Sequence, residues 1–197
     1  PKPADDEVLI KIEACGVCGT DHHIFHGEFD TVPPVVPGHE YAGTVIEVGV
    51  GVNDIKPGDR IAIDPNMPCG ICRSCQRGRI NMCENLRALG VDVDGGFAEY
   101  CVAPRKQCYL LPESVSTFAG AMVEPLACCV RGIQQAGIVP GDCVVVIGGG
   151  AIGQMLAQLA RFAGAAPVIV SDPMAERRQM ALDLGADAAI DPLNENP

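Results

Sequence analysis

The sequence predicts an α/β protein in two parts: a β-rich barrel or sandwich, then the first half of a doubly wound parallel sheet. Three observations carry this reading. Short alternating apolar segments, divided by turn residues, fill the chain up to about residue 116. Helix-like segments then alternate with continuous apolar runs. A glycine-rich turn joins the first complete run to the helix after it.

In the first part, residues 7–13 alternate, with Val8, Ile10 and Ile12 on one face, as in a half-buried strand. Residues 42–48 and 60–63 give two more strands. Between them lie Lys56, Pro57, Gly58 and Asp59, and Pro followed by Gly suits a tight reversal. Residues 97–102 give a further strand. The texture changes near Thr117. Residues 117–136 read as helical, and Pro125 must break or restart that helix because its ring removes a hydrogen bond. Residues 143–147 form an apolar run of the kind buried in parallel sheets. Residues 151–163 are helical and close at Gly164. Residues 167–171 are a strand, 175–184 a helix closed by Gly185, and 188–190 the start of a third strand. That order opens a doubly wound domain. The domains expected are 1–120, with a cysteine-rich lobe at about 66–90, and 121–197.

The chain has 197 residues, 48% apolar and 20% charged, which allows a packed core and argues against disorder. No run approaches the roughly 20 uninterrupted apolar residues of a membrane helix. Fourteen basic against 25 acidic residues give a net charge of −11. Neither nucleic acid nor an anionic membrane would attract such a chain, so neither is expected as a partner. Eleven cysteines with no visible leader suggest a reducing cytoplasm, with some cysteines holding metal.

Cys69, Cys72, Cys75 and Cys83 give the spacing C-x2-C-x2-C-x7-C. Four thiolates can close a tetrahedron around zinc and leave no open position, so this site would be structural. Arg73, Arg77 and Arg79 would offset part of its negative charge. An iron–sulfur cluster or a zinc-ribbon nucleic-acid module are the rival readings, the second weakened by the acidity of the chain. A second cluster holds Cys18, Thr20, Asp21, His22 and His23, with His39 and Glu40 further on. Cys, His and Glu form a mixed set for a zinc that keeps one position open. Taken alone, a His39–Glu40 pair is more often an ordinary hydrogen-bonded pair at the surface or in the core. Gly148, Gly150 and Gly153 match G-x-G-x-x-G between an apolar strand and a helix. Asp172 follows Gly153 by nineteen residues, at the end of the next strand. There an acidic residue would bind the ribose 2′-hydroxyl of NAD and repel the 2′-phosphate of NADP. The pyrophosphate would sit on the helix N-terminus.

Taken together, these motifs resemble the zinc-containing medium-chain dehydrogenases of the alcohol and polyol, sorbitol-type branch. The residues that carry the resemblance are 16–21, 37–43, the four-cysteine lobe, 95–100, Glu124 to Ala127, and the glycine motif with Asp172. It implies a GroES-like β-barrel catalytic domain followed by the first half of a Rossmann doubly wound domain. It implies two zinc ions per chain and NAD. Cys18 and His39 would be ligands of the catalytic zinc. Glu40 would be a ligand or an exchanging neighbour, and Glu124 the remaining zinc-site residue. Thr20 would hydrogen-bond the substrate oxygen, and His23 would relay its proton outward. Arg177 would lie near the adenosine ribose. The remaining six cysteines would pack as small apolar groups.

The implied reaction is NAD-dependent oxidation of a secondary alcohol in a polyol or similar small hydroxyl compound. Threonine, butanediol or a simple alcohol is the alternative substrate, and the intact cysteine lobe leans toward threonine or butanediol. A non-catalytic zinc-binding remnant is the alternative from another class. Members of this family are longer and assemble as homo-oligomers, dimers or tetramers. These 197 residues are therefore expected to be a fragment.

Overall fold

The alternation at residues 7–13 becomes β1 (Glu7–Gly16), with Val8 and Ile10 fully buried and Lys11 and Glu13 exposed. This computed structural model describes residues 1–29, 31 and 33–195. After β1 come α1 (Gly19–Phe25), β2 (Glu40–Val48), β3 (Arg60–Ile63), β4 (Asn66–Met67), α2 (Arg73–Gln76) and β5 (Arg87–Ala88). Next are β6 (Tyr100–Pro104), β7 (Cys108–Leu110), α3 (Thr117–Gly120) and α4 (Val123–Ala136). The chain ends with β8 (Val144–Ile147), α5 (Ala151–Phe162), β9 (Val168–Ser171), α6 (Ala175–Asp183) and β10 (Ala188–Ile190).

Two units form, Pro1–Glu124 and Pro125–Pro197, and the division falls inside α4. Asn196 and Pro197, the last residues of the expected second domain, lie outside the described residues.

The first unit is built on an antiparallel sheet in the order β6-β1-β2-β3-β7. Its core includes Val8, Ile10, Tyr41, Val45, Ile61 and Ile63. Two polar clamps hold the segment that leads to Glu124. Glu13 accepts the Thr44 hydroxyl at 2.5 Å and the Thr117 hydroxyl at 2.6 Å. The Arg60 guanidinium donates to the carbonyls of Val115 at 2.7 Å, Glu113 at 3.1 Å and Pro112 at 3.3 Å.

The second unit is a parallel sheet in the order β10-β9-β8, with α5 packed against β8 and β9. Val146, Val168 and Val170 meet Ala157 and Ala160 in its core.

Several local expectations are corrected. The run at 143–147 is buried on one face only: Val145 is 54% exposed and Ile147 89% exposed. The strand expected at 97–102 starts at Tyr100. The residues before it turn away from the sheet, Gly96 N–H donating to Gly38 O and Phe97 N–H to Pro37 O. The helix expected at 117–136 is two helices, and Pro125 falls in the first turn of α4. A proline costs little there because those N–H groups have no intrahelical partner. Of the cysteines expected to pack inside, Cys101, Cys108 and Cys129 are buried and Cys15 is partly so. Cys128 and Cys143 are exposed, one on the outer surface of α4 and one ahead of β8. No helix among the described residues is long and apolar enough to cross a membrane.

Candidate metal centres and dinucleotide loop

The antiparallel pairing of β1 and β2 builds the first centre. Gly16, at the end of β1, stands opposite Glu40, at the start of β2. A Cβ at Gly16 would meet the Glu40 carboxylate and push it aside, so the absence of a side chain leaves Glu40 in its place. Two residues on, Cys18 caps α1 in an extended conformation. The chain thus leaves one strand and enters its neighbour at the same end of the sheet. Cys18, His39 and Glu40 each offer a ligand atom, and these atoms lie within 4.8 Å of one another.

His39 is 8% exposed, and its Nδ1 has no hydrogen-bond partner among the described residues. Asp21, 6% exposed, sits behind it with Oδ1 at 3.5 Å from that nitrogen. The Asp21 carboxylate also accepts the N–H of Cys18 at 2.8 Å and of Gly38 at 3.2 Å. One buried carboxylate therefore braces both loops that supply the cluster. A sulfur, an imidazole and a carboxylate oxygen fit zinc, which accepts all three. A carboxylate beside the second ring nitrogen is the usual support for a metal-binding histidine.

The other expected residues lie around this cluster. Thr20 Oγ1 is 3.8 Å from Cys18 Sγ. His23 is exposed, and its Nδ1 is 2.8 Å from Glu28 Oε2. Glu124 is half-buried and lies outside the three-residue group. Burial raises its carboxyl pKa, with the Glu40 and Asp64 carboxylates adding to the rise and His39 opposing it.

Cys69, Cys72, Cys75 and Cys83 form the second cluster, again within 4.8 Å. Cys83 Sγ is 3.5 Å from Cys69 Sγ and 4.0 Å from Cys72 Sγ. A tetrahedron with Zn–S bonds of about 2.3 Å has sulfurs about 3.8 Å apart, so the cluster fits. Backbone N–H groups point at the sulfurs: Cys72 N to Cys69 Sγ at 3.4 Å, Cys75 N to Cys72 Sγ at 3.5 Å, and Asn85 N to Cys83 Sγ at 3.4 Å. Such N–H groups, from Ile71 and Cys72, lower the Cys69 thiol to about 6. The Cys72 thiol is lowered in the same way. Burial raises that of Cys75 to about 12. The backbone N–H groups of the loop thus stabilise charge on the sulfurs of its first two cysteines.

In the second unit, Gly148 adopts φ +95° between β8 and α5. A Cβ at Gly153 would strike the Gly148 carbonyl, so the helix approaches the turn as closely as glycine allows. Gly150 caps α5 with no side-chain hydrogen bond, leaving the first turn of a 12-residue helix without a side-chain cap. That arrangement fits a pyrophosphate. Asp172 is 2% exposed; its Oδ2 accepts Gly149 N–H and its Oδ1 accepts Met174 N–H, both at 2.7 Å. These amides, with Arg177 at 3.5 Å, hold its carboxyl below the usual range. An ionised carboxylate has about four acceptor sites, so acceptor capacity remains.

Residues 4–113 match the model of the alcohol dehydrogenase GroES-like domain, and residues 151–196 match that of the zinc-binding dehydrogenase. The chain belongs to the zinc-type alcohol and polyol dehydrogenases. Relatives in this family include the L-threonine 3-dehydrogenase of Pyrococcus abyssi, 40% identical over 200 residues. Sorbitol dehydrogenase of Gallus gallus is 40% identical over 202 residues. Both matches cover all of this chain and 57% of the relative, so the chain spans just over half their length. A protein from Sinorhizobium meliloti 1021, assigned as a zinc-binding dehydrogenase and solved with NADP bound, is 51% identical with a TM-score of 0.97. That match covers all of this chain and 57% of the other. Zinc and a nicotinamide dinucleotide are the cofactors of this family.

Asp21 and Gln154 gained no role from the motifs. Asp21 was recognisable as the acidic third residue of a helix start, where a side chain reaches back to the cap. Gln154, 6% exposed, donates to the carbonyls of Gly149 and Arg177, both at 2.9 Å, and so ties the glycine turn to α6. A glutamine after the last motif glycine carries no such signal in sequence.

Proposed function

We propose that this chain carries the zinc centres and the first dinucleotide-binding strands of an enzyme that oxidises a secondary alcohol with NAD. The substrate class is a polyol or a similar small hydroxyl compound. The observation that carries the reading is the convergence of Cys18, His39 and Glu40, with the buried Asp21 behind His39. Cys18, His39 and Glu40 would hold the catalytic zinc, with Glu124 beside them, and the four cysteines a structural one. When bound, the catalytic zinc supplies Lewis-acid polarisation of the alcohol oxygen, and NAD accepts the hydride.

The chain's own residues do the rest. Thr20, whose hydroxyl lies 3.8 Å from Cys18 Sγ, would hydrogen-bond the substrate hydroxyl and take part in moving its proton. His23, exposed and paired with Glu28, would pass that proton to solvent. Gly148, Gly150 and Gly153 would hold the pyrophosphate, and Arg177 would lie near the adenosine ribose. The Asp172 carboxylate favours a ribose hydroxyl over a phosphate, which supports NAD, although a relative was solved with NADP. The acting form is a homodimer or homotetramer of the longer protein in a reducing cytoplasm.

A threonine-like amino alcohol is the second reading, favoured by the complete four-cysteine lobe and the threonine dehydrogenase relatives. The test is NADH formation by the zinc-loaded protein with polyols, butanediol and threonine. Turnover of a polyol, lost on Cys18→Ser, supports the first reading. Turnover of threonine alone supports the second. Zinc retention without turnover of any alcohol supports the non-catalytic remnant.

A further inference from the structure

Outside both cysteine clusters, α1 carries a second set of metal-ligating side chains. The chain has four histidines, and His39 is buried while His22, His23 and His26 are exposed. His26 ends α1 in a right-handed helical conformation, and its N–H donates to His22 O at 3.1 Å. The two residues therefore stand one helical turn apart on one face. Their ring centroids are 4.4 Å apart and the rings are tilted by 54°. Neither imidazole has a hydrogen bond or an ion pair among the described residues. His23 differs: its Nδ1 faces Glu28 Oε2 at 2.8 Å, and its ring centroid is 6.0 Å from that of His22.

We propose that His22 and His26 form an exchangeable site for a divalent transition-metal ion, separate from the two cysteine-containing centres. Metal–imidazole bonds of about 2.0–2.1 Å need the two ring nitrogens about 3 Å apart. Rings already in contact on an exposed face reach this by side-chain rotation. Water completes the coordination. Imidazole selects nickel, zinc, copper or cobalt over magnesium or calcium, which prefer oxygen ligands. The net charge of −11 favours any cation at the surface. His22 also lines a shallow cavity with Val17, Asp21, Phe25, Pro37 and Phe97. An ion on the pair would brace the last turn of α1, the helix that Cys18 caps.

The test is nickel uptake by the untagged, zinc-loaded protein at about pH 8, where imidazoles are neutral ligands. Nickel and zinc are both counted after equilibrium dialysis. One nickel beyond the bound zinc is expected. His22→Ala and His26→Ala should each lose it, while His23→Ala should keep it. Magnesium should not replace nickel. The exposed positions leave the fold intact, which unchanged zinc content and circular dichroism verify. No nickel uptake by the unaltered protein, equal uptake by His26→Ala, or loss in His23→Ala as well would overturn the assignment.

Discussion

Asp21 Oδ1 lies 3.5 Å from His39 Nδ1, and the same carboxylate accepts the backbone N–H groups of Cys18 and Gly38. Three parts of the cluster thus depend on one buried side chain. Asp21→Asn keeps the size but removes the charge and half of the acceptor capacity. Zinc affinity at the Cys18 centre should fall by about 10–100-fold, the usual effect of losing a supporting carboxylate. Zinc at the four-cysteine lobe should stay. Competition with a graded chelator measures both.

The lobe should behave as an independent metal-folded segment. It has a two-stranded ladder, β4 with β5, one four-residue helix and a single 3-10 turn at Ile80–Met82, so little besides an ion holds it. Cys75→Ser should remove one zinc and open residues 69–86 to proteolysis. The barrel should keep most of its thermal transition, because the lobe adds only Met67 and Leu89, at its base and outside residues 69–86, to the core. Limited proteolysis with mass spectrometry locates the first cut.

Glu13 gives a pH dependence with a definite sign. Hydrogen bonds from Thr117 and Thr44 lower its carboxyl pKa in the folded chain. The unfolded chain, with a glutamate near its ordinary value of about 4.3, then binds more protons in acid. The stabilisation is present above that value and is lost as pH falls through the lower, folded value. Glu13→Gln should lower the melting temperature at neutral pH and flatten its decline in acid. Thermal unfolding between about pH 3 and 7 tests this.

Much of this architecture was legible because its signals are local. Alternation located β1, and the apolar run before the glycines located β8. What was not legible depends on distant partners. Phe97 reads as strand, yet its N–H is taken by Pro37 O, far along the chain. The exposure of Ile147 depends on what covers its face, which no local pattern encodes. In the site, ligand types were readable from Cys18, His39 and the C-x2-C spacing. The role of Asp21 was not, since its three contacts join segments from both sides of the β1–β2 connection.

Asp172 should govern the dinucleotide preference. Its carboxylate is tied to Gly149 and Met174 N–H groups, so it shapes the turn and would also place negative charge beside a bound ribose. Asp172→Ala should weaken NAD binding more than NADP binding. Fluorescence titration of the reduced cofactors against the longer protein gives the ratio. An unchanged ratio would mean that Asp172 serves the turn alone.

The most direct measurement is zinc per chain, by elemental analysis, in the unaltered protein and in Cys18→Ser. Two equivalents falling to one, with the four-cysteine lobe still occupied, is the expected result. One equivalent in both proteins would mean that only the lobe binds metal. It would contradict the assignment of Cys18, His39 and Glu40 as a catalytic zinc centre.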